Sequence, residues 1–272
     1  MKKRFIVLID FSIYSEFLLR FAFDWSKRTD AEILLIHSTE VLLPVMAPQE
    51  SKIRLTSLAN LDALEKLKKC AEAVLPEGTS AKPLVSEKPL IVLLRQLLQE
   101  DYNNLVFLGI KGTGLLKKIF IGSQTVKIID GIDNLIVAVP QNAVCLSPEC
   151  VHVAVVKNYP LNIFEFNKFL NFTGEGIKRI VFFSFIARSD EQDSAAKYLK
   201  ELTELYADKR DVSYELYQGD VALVSLKNLI LERHNEFIVI QRGSRMLLDQ
   251  VLRKFLINEL VYEGRTPLII LP

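Results

Sequence analysis

The feature that most restricts this chain is an alternation of short apolar runs with longer helical stretches, and the alternation passes through twice. "RFIVLID" (Arg4 to Asp10) is a β-branched apolar run, the pattern of a parallel strand buried on both faces. In "YSEFLLRFAFDWSKRT" the residues Phe17, Phe21 and Trp25 stand four apart on one helical face, which predicts a core role rather than a stacking platform. Ser12 reads as the N-cap of that helix. "AEILLIHS" (Ala31 to Ser38), "AKPLVSE", "NLVFLGI" and "DNLIVAVP" (Asp133 to Pro140) read as four more strands. Helices are expected between them, from about Lys52 to Leu75 and from Leu90 to Glu100. Strands separated by helices imply a mostly parallel sheet covered on both faces.

The pattern then restarts after "QNAVCLSPEC" (Gln141 to Cys150), a linker-like stretch. "VHVAVVKN", "IKRIVFFSFI", "VSYELYQGD", "EFIVIQRGS" and "PLIILP" read as strands. Helices are expected near Ile163–Phe172, Ala195–Tyr206, Leu223–Arg233 and Leu247–Val261. Ile9-Asp10 matches Val156-Lys157, and Ile33 matches Ile180, both 147 positions apart. Glu87 matches Gly219 and Gly109 matches Gln241, both 132 apart, the shift falling where the first half carries an extra loop after Ser38. The reading is α/β: two tandem open, mostly parallel five-stranded sheets flanked by helices, Rossmann-like. Residues 1–140 form the first copy, 141–150 the linker and 151–272 the second copy.

Bulk properties exclude several classes. A formal net charge of +1 argues against a nucleic-acid binder working through a broad basic surface. No apolar run approaches the roughly 18–20 residues needed to span a bilayer. "MKKRFIVLIDFS" begins basic and turns apolar, but Asp10 cuts the run, so a first strand is expected there rather than a leader. Cys70, Cys145 and Cys150 are too few for a disulfide framework, which makes a reducing cytoplasm the expected compartment. The histidines His37, His152 and His234 show no metal-ligand spacing with the cysteines, and no metal site is expected. Cys145 and Cys150 read as incidental thiols, with redox sensing the alternative.

Four of the eleven glycines fall within Gly109–Gly122, after the fourth strand. Gly109 is expected at the carboxyl end of that strand, the edge where open α/β sheets bind ligands. Glycine there permits positive φ and close approach of backbone N–H groups. Ser123 opens a helix whose amides and dipole favour an anion, so a phosphate chain between two glycine turns is one reading. Lys111, Lys117 and Lys118 could add charge or only solubility. The other reading makes the glycines ordinary loop and cap residues. A Walker loop is excluded by the absence of G-x-x-x-x-G-K-[ST], and a dinucleotide fingerprint by its missing third glycine.

The spacing Gly109-x2-Gly112-x9-Gly122-Ser123 resembles the ATP-binding signature of universal stress proteins, and "VLIDFSIYSE" resembles the opening of that family. "AEILLIHS" resembles its second strand, with His37 at the family's usual histidine. The resemblance implies an adenine-nucleotide α-hydrolase-like fold and ATP as ligand, with or without Mg2+. It implies that Asp10 contacts the ribose or adenine side, and that the segment around Ser38 meets the base. Gly109 and Gly112 would line ribose and phosphates, with Lys111 beside them; Gly122, Ser123 and Thr125 would bind phosphate oxygens. It also implies that the halves meet through "NLIVAVP" and "PLIILP" as a pseudo-dimer, with a further homodimer conceivable. Glu87 departs from the family's glycine and would repel phosphate.

The second copy reads differently, with Lys157 where Asp10 stands and Gln241-Arg242-Gly243-Ser244 in place of Gly109 to Gly112. No Gly-Ser pair precedes its last helix, although Gly219-Asp220 keeps the glycine the first half lost. One nucleotide site, in the first half, is therefore expected. The leading function is a cytoplasmic stress protein acting as an ATP-dependent sensor or protective module through an unknown protein partner, with no nucleic acid and no membrane. The alternatives are an interaction scaffold that binds no nucleotide, and a slow ATP-hydrolysing or adenylating enzyme.

Overall fold

The computed structural model describes residues 1–39, 48–79, 81–110, 123–141, 143, 148–186, 192–218, 236–243 and 266–272. The chain divides into two compact units, Met1–Gly109 and Ile110–Pro272.

In the first unit the opening apolar run becomes β1 (Lys2–Leu8), buried from Arg4 to Val7. It is followed by α1 (Ser15–Thr29), β2 (Glu32–Ser38), α2 (Gln49–Val74), β3 (Ala81–Ser86), α3 (Leu90–Leu97) and β4 (Tyr102–Ile110). The order is β3-β2-β1-β4. All its pairings are parallel, with Phe5 opposite Ile33 on one side and Leu105 on the other. The chain thus steps outward from β1 to β3, then crosses back to the far side of β1. That reversal opens a crevice outside the carboxyl ends of β1 and β4.

One sheet face carries Phe5 and Phe107, whose ring centroids lie 4.6 Å apart. Trp25 of α1 packs edge-on against both, at 5.7 and 5.5 Å. Phe21 and Trp25 are buried as the helical spacing predicts, while Phe17 is half-buried and contacts Phe21. Near the amino end of β1, the buried Arg4 guanidinium donates to Asn104 Oδ1 at 2.8 Å, Glu100 Oε2 at 2.5 Å and the Leu97 carbonyl at 2.7 Å. It also lies over the Tyr102 ring, so this buried charge is fully engaged in tying β1 to β4.

The second unit contains α4 (Ser123–Gly131), β5 (Ile136–Pro140), β6 (Cys150–Ala154), α5 (Ile163–Thr173), β7 (Arg179–Ile186), α6 (Gln192–Tyr206), β8 (Asp211–Gln218), β9 (Glu236–Gln241) and β10 (Leu268–Leu271). Its strands run β8-β7-β6-β9-β10-β5. The first four strand pairings are parallel, whereas β10 meets β5 antiparallel, with Ile269 opposite Val137. The order β8-β7-β6-β9 repeats β3-β2-β1-β4 strand for strand. The expected helices around Leu223–Arg233 and Leu247–Val261 lie outside the described residues.

The sequence boundary at 140 and the boundary between compact units at Gly109 do not coincide. The cause is β5, the last strand of the first repeat, which is hydrogen-bonded to β10 of the second. Every residue of both strands is buried. Arg242, just past β9, reinforces this region by donating to the carbonyls of Ile129 and Ile132 and to Asp133 Oδ1. A guanidinium at the carboxyl end of α4 complements the negative end of the helix dipole. The core against β7 is aromatic: Phe166 lies 6.0 Å from Phe182 and 5.5 Å from Tyr206. Burial pushes the Tyr206 phenol up to about 12, and its hydroxyl donates to Asn167 Oδ1 at 3.0 Å.

Candidate functional site

In the first repeat the crevice is built by the turn that leaves β1. Asp10 is exposed, and its Oδ1 accepts from the Ser12 backbone N–H at 3.0 Å and the Ser15 hydroxyl at 3.1 Å. This corrects the expected role of Ser12. The helix begins three residues later, its N-cap position is Tyr14, and Asp10 rather than Ser12 supplies the side-chain acceptor at its start. The intervening Phe11 sits at φ 56, a left-handed conformation uncommon for a bulky residue. Its ring packs on the His37 ring at a centroid distance of 4.3 Å. The His37 Nδ1–H donates to the Ile9 carbonyl at 2.7 Å, which leaves Nε2 as an acceptor. A carboxylate, an imidazole and an aromatic face are thus held together by a turn between β1 and α1.

Gly109 is the penultimate residue of β4, and its φ lies outside the left-handed region. The expected need for positive φ is therefore not what places a glycine here. Among the described residues, an added Cβ would meet only Leu18 of α1, at 3.9 Å. Ser38 ends β2, and its hydroxyl donates to the Lys88 carbonyl at 2.8 Å. The next N–H, of Thr39, donates to the Ser86 carbonyl at 2.9 Å. Ser38 thus anchors the turn into α3, and this N–H is already paired. Glu87 lies exposed in that same turn. Ser123 takes the first position of α4 and Thr125 is half-buried within it. Lys111, Gly112, Lys117, Lys118 and Gly122 lie outside the described residues.

At the corresponding strand ends of the second repeat, side chains hydrogen-bond the loop that enters α5. Gln241, at the end of β9, accepts from the Asn162 N–H at 2.6 Å and donates to the Pro160 carbonyl at 3.3 Å. The Tyr159 hydroxyl donates to the Arg242 carbonyl at 3.2 Å. The Leu161 N–H donates to the Tyr198 hydroxyl at 2.8 Å, and burial raises the pKa of that phenol. At Gly243, φ is +88 and a Cβ would come within 2.5 Å of the Tyr159 hydroxyl. The loop entering α5 is thereby fastened over the end of β9.

The ladders also correct one correspondence between the repeats. Phe5 pairs with Ile33 and Leu105, whereas Val151 pairs with Ile180 and Phe237. With Ile33 and Ile180 equivalent, the first strands are offset by 146 (Phe5 to Val151) rather than 147. The position matching Asp10 is therefore the half-buried Val156 and not Lys157. Neither residue offers a carboxylate.

Sequence spacing gave no hint that Cys150, His152 and Glu236 share one face of the β6–β9 strand pair. Their ligand atoms all lie within 4.8 Å of one another. Among the described residues, no helix is long and apolar enough to cross a membrane.

The family model for universal stress proteins matches residues 1–140, just over half of the chain. The chain belongs to the universal stress protein family. A universal stress protein from Archaeoglobus fulgidus is similar in structure over 100% of this chain and 99% of its own, with 16% identity and a TM-score of 0.70. A putative universal stress protein from Pseudomonas aeruginosa matches over 99% of this chain and 93% of its own, with 12% identity and a TM-score of 0.56. The cytoplasmic domain of a prokaryotic cation chloride cotransporter matches over 99% of this chain and 95% of its own, with 12% identity and a TM-score of 0.52. No curated protein matches significantly. At these identities the structural matches establish fold. In this universal stress protein the family match coincides with the repeat that carries Asp10 and Gly109.

Proposed function

We propose that the first repeat binds an adenine nucleotide, ATP with or without Mg2+, and that the protein acts in the cytoplasm as a nucleotide-dependent sensor or protective module. The observation that carries this reading is the difference between the crevices. In the first, an exposed carboxylate of fixed orientation stands in the turn just past β1, and among the described residues Gly109 leaves space at the end of β4. In the second, Val156 stands where Asp10 does, Gln241 stands where Gly109 does and hydrogen-bonds the loop before α5, and Tyr159 reaches the Arg242 carbonyl beside it. A carboxylate at the first site can accept hydrogen bonds from ribose hydroxyls or the adenine amine. The phosphate contacts are assigned on the motif Gly109-x2-Gly112-x9-Gly122-Ser123, with Lys111 and Thr125 beside it. Glu87 would oppose phosphate charge and lower the affinity.

An interaction scaffold is the second reading. It is favoured by Glu87 and by the exposed Leu55, Leu58 and Leu61 on α2. Calorimetric titration with ATP, with and without Mg2+, beside a Gly122→Val variant separates the two. Binding near one equivalent that the variant abolishes supports the nucleotide reading. No heat at millimolar ATP sinks it and moves the search to protein partners. Release of ADP or pyrophosphate in the same samples would point instead to an enzyme.

A further inference from the structure

Cys150 and His152 are two apart on β6, so both side chains leave the same face of the sheet. Glu236, the first residue of β9, lies directly opposite Cys150 in the ladder and joins them on that face. The Cys150 Sγ is 3.9 Å from His152 Nε2, which is 2.6 Å from Glu236 Oε2. His152 is 1% exposed and Cys150 8%, whereas the Glu236 side chain keeps 16% of its surface and so faces the way in. We propose that Cys150, His152 and Glu236 form a zinc-binding site with a fourth position left to water.

Thiolate, imidazole and carboxylate together suit Zn2+ better than the oxygen-seeking Mg2+ or Ca2+. Around tetrahedral zinc, ligand atoms stand roughly 3.2–3.8 Å apart, given Zn–S near 2.3 Å and Zn–N or Zn–O near 2.0–2.2 Å. The sulfur–nitrogen separation already approaches that spacing. The nitrogen–oxygen pair must widen by about 0.7 Å, as expected when an ion replaces the proton they share. Among the described residues His152 Nδ1 is buried with no hydrogen-bond partner, so the ring is held through Nε2, by Glu236 with Cys150 beside it. On binding, the thiol releases its proton to solvent and the imidazole proton moves from Nε2 to Nδ1. The ion's two positive charges then meet one thiolate and one carboxylate. Arg179 also lies opposite Cys150, across β7, but its guanidinium is drawn toward Asp211 Oδ2 at 3.7 Å. A buried Nδ1–H without an acceptor weakens the site relative to a four-ligand structural zinc centre.

The test is titration of the full-length protein with Zn2+ by calorimetry and with Co2+ by absorption. Near one equivalent should bind, with about one proton released per ion near neutral pH. Co2+ should give a near-ultraviolet thiolate charge-transfer band and visible bands of tetrahedral intensity. Cys150→Ala should weaken binding at least about 100-fold, and Glu236→Gln, which keeps shape and hydrogen-bonding capacity, about tenfold. A C70S/C145S variant removes the other two thiols and should bind as the parent does. Absence of the thiolate band in the parent protein overturns the proposal without recourse to any variant. Loss of binding in C70S/C145S, or its survival in Cys150→Ala, overturns it as well.

Discussion

At the end of β4, an added Cβ at Gly109 would meet, among the described residues, nothing closer than Leu18 at 3.9 Å. At the matching end of β9, Gln241 reaches across to the first residues before α5 and hydrogen-bonds Asn162 and Pro160. The surrounding strand order is the same, so the difference lies in the side chains at two strand ends. A sheet with a reversed strand order opens a crevice whether or not a ligand comes. The backbone groups at its edge must be satisfied either by the protein or by something it binds. Among the described residues, the second repeat satisfies several of them through Gln241 and Tyr159, while the first has shaped its turn around a carboxylate.

The largest predicted effect contrasts one substitution in both places. Gly243→Ala should cost about 2–3 kcal/mol, because its φ of +88 disfavours any Cβ and that Cβ would strike the Tyr159 hydroxyl. Gly109→Ala should change stability by no more than about 0.5 kcal/mol. Denaturant unfolding of both variants checks this, and equal losses would remove the distinction. Next, Asp10→Asn should lower ATP affinity about 10–30-fold while keeping an acceptor for the Ser12 N–H. Calorimetry paired with thermal unfolding reads both sides, and undiminished affinity would take Asp10 out of the site. Gln241→Ala should cost about 1–2 kcal/mol by leaving the Asn162 N–H without its acceptor. It should leave the ATP stoichiometry near one, since Val156 offers no carboxylate; a second equivalent would mean that filling alone silences the second repeat.

The smallest effect sharpens the comparison of the two cores. The first core uses Trp25 and Phe107, whereas the second includes a titratable ring in Tyr206. The Tyr206 phenol keeps its proton up to about 12 when folded and loses it near 10 when unfolded. Between those values the unfolded chain binds fewer protons, so stability falls as pH rises. After allowance for solvent screening, the share lost should be about 1 kcal/mol. Urea unfolding at pH 9.5 and 11.5 should show Tyr206→Phe losing less than the parent; parallel losses would clear Tyr206 of the effect.

Much of the architecture could be read because buried parallel strands appear as unbroken apolar runs, as in β1, β5 and β7. Phe21 and Trp25 were legible for a similar reason, since helical periodicity is set by the face that must be buried. Local turn geometry was not. Ser12 looks like a cap in sequence, but Phe11 at φ 56 swings the Ser12 N–H onto Asp10. The one-residue slip between Asp10 and Val156 has a related origin. Sequence similarity aligned Lys157, but the ladder ends β6 at Ala154, after which Val156 bridges to Tyr159. The first strand ends at Leu8, so Asp10, read as its last residue, lies two residues beyond it in the turn to α1. Glu236 could not be linked to His152, 84 residues away, because only the β6–β9 ladder, which sets Glu236 opposite Cys150, brings them together. The long side chain of Arg242 likewise reaches Asp133 across 109 residues of sequence, a distance no local pattern encodes.

The antiparallel meeting of β5 and β10 joins corresponding strands from two copies, the arrangement of a two-fold symmetric contact. In a dimer of identical chains, every substitution beside such an axis is made twice, and a change that suits one subunit is imposed on the other. Covalent fusion removes that constraint. Ile269 can be altered while Val137 stays, and Arg242 can grip one helix end without a counterpart being required of the first repeat. Once joined, the two copies were free to diverge at equivalent positions, as Gly109 and Gln241 have done.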